Sequence, residues 1–483
     1  MDKKFYITTP IYYVNDKPHA GHAYTTLVAD VLARYHRQNG EDTFFLTGTD
    51  EHGSKIAEAA AKHNQTPQEF CDQVSGVFKT AWDKDHLGIA YDYFIRTTDP
   101  NHEQAVRDIF QKLLEAKTPA NNPVLYEGEY AGLYCTGCEK FLTEKELVNG
   151  LCPDHKRAPE VLKEKNYFFR LADYLPAIEQ KIVSGELQIL PEHKKNEALG
   201  FIKQNVPDFS VSRSSVKWGV DLPFAPGQVA YVWIDALSNY ITALGYPKNL
   251  ELMAKYWPAD VQLMAQDISK FHTIYWPALL MALNLPLPKT MFIHGFFTID
   301  GQKMSKSIGN VIDPNDLVAQ FGQDGTRYLL LSQFPLGQEA DLQASLFKER
   351  YNNDLANGLG NLVARTANMI ETYLAGKNPI TKKNSLNLNN DLPDLNKFFI
   401  YEYLVAIRSL IDQANRLIDE KKPWQLVKTD LASTQEVLGQ VGELIILVAE
   451  KLAPIMPAIS AKITKQFTSD IIKKEEALFP RLN

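Results

Sequence analysis

Two short strings that lie far apart in the chain carry residue types suited to holding a triphosphate. The first is HAGH at residues 19–22, directly after an apolar segment, and the second is KMSKS at residues 303–307. Imidazole and ammonium groups can stabilise the charge that develops as pyrophosphate leaves, and Gly21 lets a nucleotide approach the backbone closely. The pair therefore predicts one nucleotide site closed from two sides. Its predicted catalytic residues are His19, His22, Lys303 and Lys306.

The elements predicted around the first string place it at the N-terminus of a helix. Residues 4–9 read as a buried strand, 20–38 as an amphipathic helix and 43–47 as a second strand. This order predicts a parallel pair of strands with a right-handed crossover. Further strand-like runs occur at 229–234, 261–264 and 290–293. In a parallel sheet of this kind, ligands bind at the carboxyl ends of strands, beside helix N-termini.

The remaining chain departs from this pattern in two regions. A Cys-bearing stretch from about 120 to 160 reads as an inserted module, and the pattern is helical from about residue 347 onward.

The net charge of −7 argues against a surface that binds nucleic acid throughout. Because no run of 18 apolar residues and no apolar signal segment is present, the sequence predicts a cytoplasmic protein with no membrane partner.

Four residues of the inserted stretch have the spacing of a metal site. Cys135 and Cys138 form a Cys-x2-Cys pair, and Cys152 and His155 form a Cys-x2-His pair. Each pair can chelate from a tight turn, and four nitrogen and sulfur ligands suit tetrahedral Zn²⁺. Such a site has no open coordination position, so the predicted zinc ion, one per chain, is structural.

Beyond these motifs, the chain resembles the class I aminoacyl-tRNA synthetases, and among them the methionyl-tRNA synthetases, over essentially its whole length. The matching strings are TPIYYVN at 9–15, GTDEHG at 48–53, YVWIDA at 231–236, FH at 271–272 with WP at 276–277, and KPW at 422–424. The resemblance implies an α/β fold with a Rossmann-type parallel-sheet catalytic domain, an inserted zinc-knuckle module and, after them, an all-α helical-bundle anticodon-binding domain. The implied boundaries are 1–115 and 223–300 for the two catalytic halves, 116–222 for the connective insertion with its knuckle at 135–155, 301–346 for the KMSKS loop and stem-contact region, and 347–483 for the helical bundle.

The resemblance also implies a two-step reaction. The carboxylate of L-methionine attacks the α-phosphorus of ATP to give methionyl-adenylate and pyrophosphate, and the 3′ adenosine of tRNA(Met), elongator or initiator, then accepts the methionyl group. Mg²⁺ is expected on the ATP phosphates. The residues that match ATP ligands are His19, Gly21, His22, Asp267, Lys303, Ser305 and Lys306. Those that match the methionine pocket are Ile11, Tyr13, Asp50, Arg213, Trp233, Ala236, Tyr240, Ile268, His272 and Trp276.

The resemblance implies particular roles for three charged residues of these two sets. Asp50 matches the carboxylate that pairs with the substrate ammonium, Arg213 an arginine on the carboxylate and phosphate side, and Asp267 the residue that hydrogen-bonds the ribose. The aromatic residues match a pocket that holds a flexible thioether through sulfur–aromatic contacts. One departure stands beside Asp267. Residues 265–266 are Ala-Gln where the family commonly has Gly-Lys, so one positive charge is missing.

A polar stripe at the helical end of the chain predicts contact with RNA. Asn357, Asn361 and Arg365 recur every four residues and therefore share one face of an α-helix, from which they can reach the edges of unstacked bases. Trp424 follows a helix-ending proline and offers a plane on which a base can stack. In the family, the equivalents of Asn361, Arg365 and Trp424 read the CAU anticodon.

Two alternative functions are compatible with parts of the sequence. A class I synthetase of another specificity would share the HAGH and KMSKS strings, and a non-catalytic RNA-binding paralogue would keep the fold. The intact catalytic histidines, lysines and Asp50 speak against the second alternative. The chain ends at Asn483, soon after the helical region, whereas many bacterial relatives continue into a β-barrel module that binds tRNA and dimerises. We therefore expect a monomer.

Overall fold

The computed structural model describes residues 3–135, 140–142, 144–153, 156–204, 206–303, 309–380 and 392–483. The chain divides into two units. The first comprises Met1–Pro18, Gly40–Thr80 and Tyr91–Gly295, and the second comprises His19–Asn39, Ala81–Ala90 and Phe296–Asn483. The chain therefore returns to the first unit twice before its helical end.

The regular elements are numbered in chain order. The strands are β1 (Lys4–Tyr13), β2 (Asp42–Asp50), β3 (Tyr93–Arg96), β4 (Leu125–Cys135), β5 (Lys140–Leu142), β6 (Glu160–Phe169), β7 (Gln188–Leu190), β8 (Phe209–Ser210), β9 (Ser212–Arg213), β10 (Val229–Ala230), β11 (Val261–Ala265), β12 (Thr290–His294), β13 (Phe297–Ile299), β14 (Gln302–Lys303) and β15 (Ala340–Leu342). The α-helices are α1 (Ala20–Gln38), α2 (Ser54–Lys62), α3 (Pro67–Trp82), α4 (Pro100–Glu115), α5 (Leu175–Ser184), α6 (Glu192–Ile202), α7 (Val232–Thr242), α8 (Glu251–Tyr256), α9 (Trp276–Ala282), α10 (Pro314–Phe321), α11 (Gln323–Leu331), α12 (Phe347–Arg350), α13 (Asn361–Leu374), α14 (Ile400–Lys421), α15 (Pro423–Leu426), α16 (Leu431–Leu452) and α17 (Pro457–Phe467). Within the described ranges, two π-helical segments span Phe271–Tyr275 and Tyr351–Gly360, and short 3-10 turns span Glu144–Glu146, Leu171–Asp173, Gln266–Ile268, Ala344–Leu346 and Leu395–Lys397.

The first unit is built around a six-stranded parallel sheet in the order β3-β2-β1-β11-β12-β7. At its centre, Ile7 of β1 lies between Phe45 of β2 and Val261 of β11. The central strands are near-continuous apolar runs, as expected where both faces of a parallel sheet are covered. The strands predicted at 4–9, 43–47, 261–264 and 290–293 all belong to this sheet, so these predictions are confirmed.

The strand predicted at 229–234 is wrong beyond its second residue. Only Val229–Ala230 forms a strand, which pairs antiparallel with β9, and α7 begins at Val232. Residues 229–234 are apolar at every position, so they lack the periodicity that separates a buried strand from a buried helix. The edge strand β7 has no counterpart in the prediction, because three residues are too few to show a period.

A separate antiparallel sheet in the first unit has the order β5-β4-β6-β8. Strands β4 and β6 pair from Leu125 opposite Phe169 to Tyr134 opposite Glu160. At the far end of this ladder, β4 reaches Cys135, which belongs to a small buried cluster with Leu142 and Cys152. The Cys-bearing stretch is therefore carried by a long antiparallel pair.

The second unit holds α1 together with the elements from β13 onward. Arg327 of α11 is fully buried, and its guanidinium donates to Asp30 Oδ2 of α1 at 2.6 Å and to the carbonyls of Leu87, Pro454 and Ile455 at 2.6–3.1 Å. Burial favours the neutral acid, but the charge of Arg327 holds the pKa of Asp30 below its ordinary value. Breaking such a buried pair costs about 3–5 kcal/mol, so the pair fixes α1 to α11 and to the turn between α16 and α17.

Helix α16 is long and apolar enough to cross a membrane, judged by length and composition alone. Half of that apolar stretch is buried inside the protein, where α16 packs against α14 and α17. Such burial is typical of the central helix of a packed helical bundle.

Candidate functional site

The HAGH string forms the start of α1, as predicted. His19 is the N-cap residue, and its Nδ1 accepts a hydrogen bond from the Gly21 N–H at 3.1 Å. His22 Nδ1 accepts from the His19 N–H at 3.3 Å, and the two rings stack with their centroids 3.7 Å apart. The two imidazoles therefore act as a reciprocal capping box that satisfies backbone N–H groups at the helix start.

Both imidazoles are neutral near pH 7. Burial lowers the pKa of His19 to about 4, and burial together with the neighbouring His19 ring lowers the pKa of His22 well below its ordinary value. Since each Nδ1 accepts from a backbone N–H, the proton of each neutral ring lies on Nε2. The pair can therefore donate Nε2–H groups to a phosphate but adds no positive charge.

Lys303 ends the β-hairpin that leads into the KMSKS string. Thr298 of β13 pairs with Lys303 of β14 across the turn Asp300–Gly301, whose residues have φ of 46° and 75°. Two positive φ angles are typical of the turn that suits a two-residue hairpin. Asp341 fixes this turn, because its Oδ1 accepts from the Thr298 hydroxyl at 2.6 Å and from the Gly301 N–H at 2.7 Å. The remaining residues predicted in this string, Ser305 and Lys306, lie outside the described residues.

One backbone hydrogen bond links the surroundings of the two strings within the second unit. The Ala20 N–H at the start of α1 donates to the Ile312 carbonyl at 2.9 Å. Ile312 follows closely after the KMSKS string, so the chain returns from that string to the helix that begins with the two histidines. A shared nucleotide site stays a prediction, because residues 304–308 are not among those described.

Four of the predicted pocket residues are in contact in the first unit. Tyr240 of α7 donates its hydroxyl to His272 Nε2 at 2.7 Å, and its ring centroid lies 5.7 Å from that of Trp276. His272 Nδ1–H donates to the Ile268 carbonyl at 3.0 Å, which leaves Nε2 as the acceptor, and burial lowers the pKa of His272 to about 4. Trp276 Nε1–H donates to Gln262 Oε1 at 3.1 Å. The rings are therefore held in place by hydrogen bonds to neutral partners.

The π-helical segment Phe271–Tyr275 carries His272 toward this group of rings. Phe271 stacks on Trp233 with 3.7 Å between ring centroids and 4° between ring planes. Phe271 was absent from the predicted pocket, although the FH string contains it. Three predicted pocket residues lie partly buried at the edge of the main core, namely Ile11, Trp233 and Ile268, whereas Ala236 is buried.

The charged pocket residues lie at strand ends of the first unit. Tyr13 of β1 pairs with Asp50 of β2 at the last position of both strands. Asp267 is exposed on the 3-10 turn that follows β11. Arg213 of β9 is buried, and its guanidinium donates to Ser210 Oγ at 2.7 Å. Asp50 is thus the last residue of β2 and Asp267 follows β11, both at the carboxyl ends of sheet strands, which is the edge where parallel sheets bind ligands.

A buried carboxylate joins three segments of the first unit. Asp235 of α7 has Oδ2 2.7 Å from His52 Nδ1 and Oδ1 2.8 Å from His102 Nε2, and His102 Nδ1 lies 2.7 Å from the Thr242 hydroxyl. Burial alone would lower the pKa of His52, but Asp235 and the nearby Glu103 raise it to about 10. Burial opposes ionisation of Asp235 too, yet the two histidines lower its pKa to about 2. The network therefore contains a charged His52 and a charged Asp235 at neutral pH.

This network holds the loop after β2 against α7. His52 stands two residues after Asp50, and α7 carries the predicted pocket residues Trp233, Ala236 and Tyr240. Glu51 is anchored as well, because its carboxylate receives two hydrogen bonds from Arg96 at 2.7 and 2.8 Å. Sequence reasoning gave His52 and Asp235 no role. Both stand inside matching strings, but only the fold shows that they meet.

The structure places two of the four predicted zinc ligands. Cys135 and Cys152 are buried in the same cluster with Leu142, while Cys138 and His155 lie outside the described residues. In the part of the chain that the structure describes, no group of three or more His, Cys, Asp or Glu side chains is arranged to hold a metal ion. One ligand from each predicted pair is thus brought to the same place.

The predicted RNA-contact residues lie in the second unit. Asn357 and Asn361 are exposed, and the Arg365 guanidinium donates to Asp419 at 3.0 Å while lying 5.2 Å from the Trp424 ring centroid. Asn357 belongs to the second π-helical segment, so the α-helical spacing used in the prediction holds only from Asn361 onward. Both amides nevertheless point away from the core.

A comparison with protein families defines the class of this protein. The family model described as "tRNA synthetases class I (M)" matches residues 5–158 and 155–367. This range contains the HAGH and KMSKS strings, the parallel sheet and the Cys-bearing stretch. The fold and these strings therefore define a class I tRNA synthetase.

Individual relatives identify the family within the class I tRNA synthetases. A methionine–tRNA ligase of Caldanaerobacter subterraneus subsp. tengcongensis is 44% identical over 515 residues, which cover 100% of this chain and 80% of the relative. One of Rickettsia bellii is 40% identical and covers 100% of this chain and 96% of the relative. The solved structure of Mycobacterium tuberculosis methionyl-tRNA synthetase in complex with methionyl-adenylate has 34% identity and a TM-score of 0.91, over 99% of this chain and 100% of that chain. The chain belongs to the methionyl-tRNA synthetase family.

Replacing Asp235 by Asn removes the charge between the two histidines and keeps the side-chain size. We expect the free energy of unfolding at pH 7 to fall by about 3–5 kcal/mol, the cost of breaking a buried ion pair. The pKa of His52 should drop from about 10 toward or below its ordinary value, because burial lowers this pKa and the Asp235 charge that raises it is gone. In the wild type, the stabilisation by His52 is fully present below pH 6.5 or so and is lost as the pH rises through about 10. Denaturant unfolding between pH 5 and 10 measures both effects.

The matched control for this change is Asp221→Asn. Asp221 is an exposed carboxylate that pairs with Arg107 of α4 at 2.6 Å, and exposed pairs contribute only about 0–1 kcal/mol. Equal losses of stability in Asp235→Asn and Asp221→Asn would contradict the central role of Asp235.

Proposed function

We propose that this chain activates L-methionine with ATP and transfers the methionyl group to tRNA(Met), both elongator and initiator. The observation that carries the proposal is the match over 99% of the chain to a relative solved in complex with methionyl-adenylate. The hydrogen-bonded rings of Tyr240, His272 and Trp276 support it, because aromatic rings are favourable neighbours for a thioether.

In the first step, a methionine carboxylate oxygen bonds to the α-phosphorus of ATP, and the bond from that phosphorus to the pyrophosphate oxygen breaks. No protein nucleophile is needed, so the protein contributes orientation and charge stabilisation. His19 and His22 donate their Nε2–H groups to phosphate oxygens, and Lys303 and Lys306 neutralise the leaving pyrophosphate. Mg²⁺ on the ATP phosphates supplies further charge neutralisation.

Three charged residues orient the substrates in this proposal. Asp50 binds the methionine ammonium, Arg213 lies on the carboxylate and phosphate side, and Asp267 hydrogen-bonds the ribose. The positions of Asp50 at the carboxyl end of β2 and of Asp267 just after β11 support these roles.

The second substrate, tRNA(Met), binds at the helical end of the chain in this proposal. We propose that Asn357, Asn361, Arg365 and Trp424 contact the anticodon of tRNA(Met). Exposed amides beside an arginine and a partly buried indole ring form a combination that can hydrogen-bond and stack unpaired bases.

A structural Zn²⁺ ion, held by Cys135, Cys138, Cys152 and His155, completes the proposal. The support from the fold is that buried Cys135 and Cys152, from two separate chain segments, share one small cluster. A small core of this kind gains stability from a four-ligand site, which has no open position and hence takes no part in the reaction.

Amino-acid-dependent exchange of pyrophosphate into ATP tests the first step. We expect exchange with methionine and a kcat/KM lower by about tenfold or more for leucine, isoleucine, valine and cysteine, since one methylene is worth about 1–3 kcal/mol. Lys306→Ala should lower the exchange rate by about 100-fold or more, the loss typical of one charge-stabilising donor. A preference for another amino acid would assign another class I specificity, and exchange with none would favour a non-catalytic paralogue.

Trp424→Ala tests the contact with the anticodon. We expect kcat/KM for tRNA(Met) in aminoacylation to fall by a factor of about 5 to 150, the equivalent of one stacked base at about 1–3 kcal/mol, while pyrophosphate exchange stays unchanged. Phe399→Ala, which removes an exposed ring of the same unit, is the control and should change neither rate. Parallel loss of charging and exchange in Trp424→Ala would mean that the indole only supports the fold.

Cys152→Ser tests the zinc site. We expect the bound zinc per chain, measured by elemental analysis after dialysis, to fall from about one to well below one, because a hydroxyl is a poor replacement for a thiolate ligand. Cys71→Ser is the matched control, since Cys71 is buried elsewhere and its thiol donates to the Glu51 carbonyl. An unchanged zinc content in Cys152→Ser would refute the site.

A further inference from the structure

A fully buried glutamine lies in a central strand of the parallel sheet. Strand β11 reads Val-Gln-Leu-Met-Ala, and Gln262 is its one polar residue. Because β11 lies between β1 and β12, its backbone is engaged in two ladders. A buried amide costs free energy unless its polar atoms are paired, so an apolar side chain would suit this position better for packing alone. Gln262 therefore contributes something other than packing.

The oxygen of the Gln262 amide accepts from the indole of Trp276. The distance from Trp276 Nε1 to Gln262 Oε1 is 3.1 Å, and an indole N–H can only donate, so this end of the amide is the oxygen. Within the described part of the chain, Gln262 Nε2 has no hydrogen-bond partner. One end of the buried amide is thus paired and the other is not, which makes the bond to Trp276 the contribution of this polar side chain.

A neighbouring indole shows why a side chain has to supply this acceptor. Trp257 packs edge-on against Trp276, with 6.1 Å between ring centroids, and donates its Nε1–H to the Pro286 carbonyl at 2.9 Å. That carbonyl belongs to the loop before β12 and is outside the ladders. Trp276 instead donates toward β11, where the backbone is already used, so a polar side chain of that strand takes the place of a carbonyl.

The bond to Gln262 also decides which surface the indole of Trp276 offers to its other neighbours. The N–H is the only polar atom of the ring, and it is directed to the sheet. The ring centroid of Tyr240 lies 5.7 Å from that of Trp276, and the Tyr240 hydroxyl donates to His272 Nε2 at 2.7 Å. An apolar indole surface in a fixed orientation therefore supports the two rings that meet at this hydrogen bond.

We propose that Gln262 is a positioning residue for methionine recognition, whose amide oxygen holds the Trp276 indole in the orientation that supports Tyr240 and His272. The inference rests on the proposed function, in which these rings bind the methionine side chain. Gln262 has no exposed surface, so it acts through the indole and not by touching the substrate. Loss of its oxygen weakens methionine binding more than ATP binding.

Two substitutions of Gln262 and one control separate this role from a role in stability. Gln262→Met keeps the size of the side chain and removes the acceptor. Gln262→Glu keeps an acceptor, because burial favours the protonated carboxyl and its carbonyl oxygen resembles that of the amide. Gln188→Met is the matched control, since Gln188 is exposed on the edge strand β7 of the same sheet and accepts from the Thr290 hydroxyl at 3.3 Å.

We expect Gln262→Met to raise the Kd for methionine, measured by calorimetry, and its KM in pyrophosphate exchange about tenfold, as for one lost buried hydrogen bond. KM for ATP should stay within about threefold of wild type. Gln262→Glu should keep the Kd for methionine within about threefold, although its buried carboxyl lowers the thermal unfolding midpoint more than Gln262→Met does. Gln188→Met should behave as wild type in all of these measurements.

A double-mutant cycle tests whether Gln262 acts through the indole. Phenylalanine has no N–H, so in the Trp276→Phe background the further change Gln262→Met should alter the Kd for methionine by less than about twofold. The indole can also be observed without substrate. The chain has six tryptophans, and the Nε1–H signal of Trp276 in ¹⁵N-tryptophan-labelled protein is assigned by its loss in Trp276→Phe. This signal should shift and exchange faster with solvent in Gln262→Met and stay near its wild-type position in Gln262→Glu.

Several outcomes would overturn the inference. Equal increases of KM for methionine and ATP in Gln262→Met, methionine affinities that follow the unfolding midpoints of the variants, additive losses in the cycle, or an unchanged indole signal in Gln262→Met would each refute it. A wild-type chain that activates another amino acid, or none, would instead refute the proposed function. The indole signal needs no substrate, so it would still report on the bond between Gln262 and Trp276.

Discussion

The first unit depends on one shared charge, the carboxylate of Asp235. It stands inside α7, a helix otherwise composed mainly of apolar residues, and accepts from His52 on one side and His102 on the other. A buried carboxylate without partners would be expensive, and so would two buried imidazoles without an acceptor. The three groups are therefore stable only together, which ties the loop after β2, the start of α4 and the first turn of α7 into one arrangement. Asp50 and the ring-bearing side of α7 obtain their relative position from this constraint.

Four histidines of the chain show how partners decide the protonation state of one residue type. His19, His22 and His272 have backbone or hydroxyl partners, and burial lowers their pKa values, so the rings stay neutral. His52 is buried as well but faces Asp235, and its pKa rises to about 10. Neutral rings with a fixed tautomer are directional hydrogen-bond groups, while the charged ring serves the fold.

The sequence predicted well those features that depend on local patterns. Helix α1 was predicted at its observed bounds because an N-terminal signal, an apolar face and a terminal Asn-Gly all agree. The apolar run 229–234 was misread because it has no periodicity, and the His52–Asp235–His102 network was missed because its members lie far apart in the chain. Tertiary partners decide such features, and spacing along the chain carries no information about them.

The two π-helical segments show a further limit of spacing arguments. One contains His272 and leads into Trp276, and the other contains Asn357 and leads into Asn361. The wider turn shifts the direction of the side chains relative to an α-helix, and such segments often lie at functional positions. For the first segment the sequence supplies a reason, since Pro277 has no N–H to donate to the carbonyl of Thr273 four residues earlier. The proline thus removes one α-helical hydrogen bond at the point where the helix widens, and the ring of His272 can meet Tyr240 without a break in the helix that follows.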